Sequence, residues 1–155
     1  MTKKVANREG ERGAALVEFS LCATLFLIVI FGTLEFGRML WTHNALTDAT
    51  RRAARHAVTR GKSNDPASSI QKEIKNVAVY GNPAGTGTPL VDGLKPDQVL
   101  VTFSPDYALG AGSVSIEIDK YDFQFVVPVL GTTMRMPAYR TALTSESAGY
   151  VPNPI

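Results

Sequence analysis

A carboxylate stands where a long apolar run begins. In Gly13-Ala14-Ala15-Leu16-Val17-Glu18-Phe19, Glu18 is followed by no further charge until Glu35. A charged side chain inside a bilayer costs roughly 2.5–3.5 kcal/mol on insertion scales, so the placement implies a role for the charge. The other titratable groups offer less chemistry. His43 and His56 are 13 residues apart on one predicted helix, about 20 Å along its axis and too far to share a metal. Glu117, Asp119 and Asp122 could supply oxygen ligands to a divalent cation if the turn curls them together, but polar positions alternating along a hairpin account for them more simply. Cys22 is the single cysteine and lies in the apolar run, which rules out an intrachain disulfide or a cysteine metal cluster. Gly85-Thr86-Gly87 lacks the Lys and the spacing of a phosphate loop. No nucleophile, base and orienting group stand at a spacing that supports catalysis. The sequence therefore predicts a non-enzyme with no cofactor and no metal.

Hydropathy and length define the elements that must position Glu18. Ala14 to Leu34 is 21 residues, about 31 Å of helix, which matches a hydrocarbon core of about 30 Å. The stretch from Leu21 to Phe31 is too uniformly apolar for a half-exposed surface helix, and Trp41 lies just beyond its end, where amphipathic rings favour the interface. Lys3, Lys4, Arg8 and Arg12 precede it, as in a secretory signal peptide. The run, however, ends in Gly32-Thr33-Leu34-Glu35-Phe36-Gly37-Arg38 without a small-x-small cleavage site, so the segment is expected to be retained. The helix is expected to continue, since no Gly or Pro falls between Met39 and Val58. There Leu46, Ala49, Ala53 and Ala57 recur at helical spacing, with Asp48, Arg51, Arg52 and Arg55 on the other side. The alanines leave room for a sheet or second helix to approach closely, and Gly61 supplies a stop.

Asp65-Pro66 predicts a second helix, with Asp65 as N-cap and Pro66 at the first position. Ile70, Ile74, Val77 and Ala78 form its buried side, and Gly81 closes it. Residues 81–92 are rich in Gly, Pro and Thr and predict a loop. Period-two alternation then takes over: Val99, Val101 and Phe103; Val114, Ile116 and Ile118; Tyr121, Phe123 and Phe125. A last strand is expected around Tyr139 to Ser147. Pro128 and Pro137 bracket Val129 to Met136, which reads as an irregular crossover. The fold class is α+β: a long N-terminal membrane-spanning helix running into a small domain with a second helix and a three- to four-stranded antiparallel sheet. The formal net charge of +2 resides in residues 1–13, with four basic and two acidic side chains. The balanced remainder argues against nucleic acid as a partner.

Gly13, a Glu five residues on, an aromatic at Phe19, a basic leader before and an apolar helix after together resemble the type IV prepilin pattern in its Flp-type form. Specifically, the chain resembles the TadE-like family, pseudopilins or minor pilins of Tad pilus systems. The resemblance is clearest from Gly13 to about Gly61. Tyr is the usual aromatic of the major pilins, and Phe19 keeps the ring without the hydroxyl. The resemblance implies a pilin-like layout with a cytoplasmic leader (1–13), a transmembrane and amphipathic helix (14–60) and an extracytoplasmic α+β domain (61–155). It implies processing by a prepilin peptidase at Gly13, Ala14, Glu18 and Phe19. It also implies packing against other pilin or pseudopilin subunits through Glu18, Leu16, Leu21, Leu25, Ile28 and Gly32. The partners implied are those subunits, the peptidase, the inner-membrane assembly machinery and the lipid bilayer. The location implied is the bacterial inner membrane, with the N-terminus cytoplasmic and the domain periplasmic, or a surface pilus. Lys and Arg counts on the two sides of the span nearly tie, so orientation rests on the family pattern. The alternative is an unprocessed single-pass protein whose outer domain is a binding module.

Overall fold

The computed structural model describes residues 3–60, 65, 68–105, 107, 112–127 and 132–144, with side chains from residue 12 onward. Its elements are α1 (Lys3–Val58), α2 (Ser69–Tyr80), a 3-10 turn at Pro96–Gln98, and strands β1 (Val99–Phe103), β2 (Ser113–Ile118), β3 (Asp122–Gln124), β4 (Thr133–Arg135) and β5 (Tyr139–Thr144). They divide into two compact units. One joins α1 as far as Arg38 to the segment that begins at Phe125; the other holds α1 from Met39, α2 and the sheets.

In the first unit α1 already begins at Lys3, so part of the expected leader is helical and Gly13 does not interrupt it. One Gly costs a helix about 1 kcal/mol relative to Ala, too little to break a run of good helix formers. Every large apolar side chain from Leu16 to Leu34 is exposed. A soluble core helix would bury them; this stretch is long and apolar enough to cross a membrane. Its hydroxyls are already satisfied by the preceding turn: Ser20 Oγ donates to the Val17 carbonyl at 2.8 Å, Thr24 Oγ1 to Ser20 at 2.7 Å and Thr33 Oγ1 to Val29 at 2.8 Å. Such bonds remove the cost of carrying bare donors into hydrocarbon.

The second unit is helices on a sheet. β2 is central in the antiparallel order β1-β2-β5, with Val101 opposite Ile116 and Ile116 opposite Thr141. The buried sheet residues are Val99, Phe103, Val114, Ile116, Ile118 and Tyr139. α1 contributes Leu46, Ala49, Ala53 and Ala57, all fully buried as their spacing predicts. It is tied to β5 by Thr50 Oγ1 and Thr141 Oγ1 at 2.8 Å and by His43 Nδ1 and Tyr139 Oη at 2.8 Å. α2 reaches β1 through Gln71 Nε2, which donates to the Val101 carbonyl at 3.3 Å.

Several expectations are corrected. α2 is capped by Ser68, whose Oγ accepts the Gln71 N–H at 3.2 Å, and not by Asp65; Pro66 lies outside the described residues. Ile70 is only half-buried, while Gln71, Asn76 and Val79 join Ile74, Val77 and Ala78 inside. Gly81 closes the helix in the left-handed conformation, as expected. The expected stop at Gly61 lies outside the described residues. Thr133–Arg135 is a strand: β3 and β4 pair as a separate two-stranded sheet, with Asp122 opposite Arg135. Pro137 falls outside this short pairing and so does not prevent it, and Pro128 lies outside the described residues. In the loop after α2, Gly85 has φ +70, and a Cβ there would lie 2.6 Å from the Asn76 amide. That loop is pinned by Asn76 Nδ2 donating to the Pro83 carbonyl at 3.0 Å.

Candidate processing and assembly site

Gly13, Ala14, Glu18 and Phe19 all lie on α1 within the stretch whose side chains are exposed. A Cβ added at Gly13, Gly32 or Gly37 meets nothing within 4 Å. The chain's own packing therefore requires none of these glycines, although each weakens the helix by about 1 kcal/mol.

Glu18 is exposed, and among the described residues no hydrogen bond or ion pair holds it. At about 100° per residue, Glu18, Leu21, Leu25, Ile28 and Gly32 fall along one stripe of the helix, while Leu16 is turned about 200° from Glu18 onto another face. The helix thus aligns five of the six expected packing residues and separates the sixth. The four apolar side chains are exposed and Gly32 is half-exposed.

At the other end of the apolar stretch lies a group that sequence reasoning treated only as a boundary. Glu35 is buried, 4% exposed. Both its carboxylate oxygens accept from Arg38 Nη1, at 2.9 and 2.8 Å, and Oε1 also accepts the backbone N–H of Val126 at 3.3 Å. An acid and a base three residues apart at the end of an apolar run were the available signal; the link to Val126, 91 residues away, left none.

The remaining candidates have ordinary partners. His43 stacks edge-on against Tyr139, with ring centroids 5.1 Å apart, and burial raises the Tyr139 hydroxyl above its usual pKa. His56 Nε2 lies 3.9 Å from Glu73, which also meets Arg60 at 3.1 Å. Asp122 pairs with Arg135 across β3 and β4 at 2.7 Å, and the Arg135 hydrogen bond lowers its carboxyl below the ordinary range. Glu117 and Asp119 do not join it in a metal-binding group: no cluster of three His, Cys, Asp or Glu forms among the described residues.

Comparison with known families covers this same stretch of the chain. Residues 13–55 match the family model described as TadE-like protein. The chain carries a TadE-like segment. The match starts on Gly13 and takes in Glu18, the whole apolar stretch and most of the alanine face, while α2 and the sheets lie beyond it. The TadE-like family is one of Tad pilus-associated components, and among the described residues one helix is long and apolar enough to cross a membrane, which suggests a single-pass membrane protein. No curated protein and no solved structure matches the chain.

Proposed function

We propose that the chain is a pseudopilin or minor pilin of a Tad-type pilus or secretion system, processed by a prepilin peptidase after Gly13 and assembled through its apolar helix. One observation carries this reading: Gly13 and Glu18 sit at the mouth of an apolar helix that the chain's own fold leaves uncovered. Lipid covers such a surface before assembly, and neighbouring helices cover it afterwards. Hydrolysis of the Gly13–Ala14 bond leaves a carboxylate on Gly13 and an α-amino group on Ala14. With a reference pKa near 8 the amine is largely protonated at neutral pH. The Glu18 carboxylate of one subunit then pairs with the Ala14 ammonium of a neighbour, offsetting the desolvation of both charges and setting the register between subunits. The N-terminus is cytoplasmic, where the peptidase acts, in a bacterial inner membrane, and the α2-sheet unit is periplasmic.

Intact-mass measurement of the membrane protein, with and without an active prepilin peptidase, tests the reading. The expected product lacks the first 13 residues and begins at Ala14. A chain that keeps those residues in cells with active peptidase overturns processing and leaves a simple anchored protein.

A further inference from the structure

We infer that the segment Phe125-Val126-Val127, which follows β3, is a second membrane contact, seated in the interfacial layer of the bilayer where α1 leaves it and held there by Glu35. Two observations set the depth. Glu35 is the first charge after Glu18 and directly follows the 21-residue span 14–34, a length that brings it to the far boundary of a hydrocarbon core about 30 Å thick. The Val126 N–H lies 3.3 Å from Glu35 Oε1, so Val126 is at the same depth as that boundary.

The chemistry of the segment fits lipid. Val126 is 73% exposed although it is apolar, and the twelve residues from Phe123 to Met134 carry no charge. The nearest charges on either side, Asp122 and Arg135, neutralise each other at 2.7 Å. Phe125 N–H donates to the Thr132 carbonyl at 3.2 Å and Val126 N–H to Glu35, so Val126 presents its apolar side chain with these two backbone donors already paired. A poorly hydrated interface demands that pairing. Arg38 compensates the charge of Glu35, so the carboxylate can act as an acceptor at the edge of the hydrocarbon. Phe36, next to Glu35 on α1, is exposed as well. The inference rests on α1 spanning a membrane, but not on cleavage after Gly13 or on a place in a pilus.

The test uses the full chain in phosphatidylcholine vesicles containing lipid brominated high in its acyl chains. Trp41, the single tryptophan, is replaced by Phe, and one new tryptophan is introduced as Val126→Trp or, as a reference inside the span, Phe26→Trp. The expected result is loss of emission at position 126 comparable to that at position 26, with little quenching by aqueous acrylamide. Adding Glu35→Ala to Val126→Trp is expected to reduce the lipid quenching and raise the acrylamide quenching, whereas Glu35→Gln, which keeps an acceptor oxygen, is expected to preserve the parent pattern. A tryptophan at 126 that lipid does not quench, while that at 26 is quenched, overturns the inference alone. If it is also shielded from acrylamide in a protein-concentration-dependent way, the segment contacts a second copy of the chain instead. Absence of quenching at both positions overturns the membrane-spanning reading as well.

Discussion

Glu18 and Glu35 bracket the apolar stretch, and the fold treats the two carboxylates differently. Glu35 is buried with its charge matched by Arg38 and a lone pair used by the Val126 N–H. Glu18 is exposed, and among the described residues nothing holds it. Leaving one member of a buried ion pair alone costs about 3–5 kcal/mol, which is upwards of a hundredfold in association. On the proposed function, Glu18→Ala is therefore expected to be cut after Gly13 as efficiently as the parent but to enter pili at least tenfold less often, by about 1.4 kcal/mol or more. Mass spectrometry of the membrane fraction together with immunoblotting of sheared pili checks both halves. Normal incorporation would remove the pairing role while leaving the cleavage reading intact.

Elements were legible in the sequence wherever one local pattern decided them. Ala49, Ala53 and Ala57 at helical spacing marked the buried face of α1, and the alternation of Val114, Ile116 and Ile118 marked the buried face of β2. The start of α2 was misjudged because Asp65-Pro66 is a strong cap signal, yet Ser68-Ser69-Ile70-Gln71 contains the Ser-x-x-Gln spacing of a capping box, and that is where the helix begins. β4 was missed since Thr133–Arg135 is exposed at all three positions and has no burial pattern to reveal it. Glu18 and Gly13 stand out in the sequence because their oddity is local, whereas the Glu35–Val126 bond joins segments remote in sequence. The alanine face also sets a steric test. Ala53 is fully buried, so Ala53→Leu is expected to overpack the helix-sheet contact and cost about 1–3 kcal/mol. In a domain of 60–100 residues that lowers the thermal midpoint by about 4–8 °C per kcal/mol. Arg51→Ala, which loses only an exposed 3.8 Å pair with Asp48, is expected to leave the midpoint almost unchanged, and circular dichroism in detergent compares the two.

For the molecule as a whole, the proposed function turns on which side of the apolar stretch the chain is cut. A signal peptidase cuts after the hydrophobic run and frees the domain downstream of it; a cut after Gly13 removes a charged leader and keeps the run. Residues 1–13 carry the entire formal charge of +2, so the product has no net formal charge in its side chains and gains a cationic terminus one helical turn from Glu18. It keeps all 21 residues of the span, whose large apolar side chains are exposed among the described residues. Precursor and product are accordingly both expected to remain with the membrane pellet after alkaline carbonate extraction and to be released only by detergent. Recovery of the cut chain in the soluble fraction would place the cut beyond Leu34 and remove the physical basis for assembly through α1. A shortened chain that stays in the pellet would leave the apolar helix available for lipid first and for neighbouring subunits afterwards, the order of environments that assembly from a membrane requires.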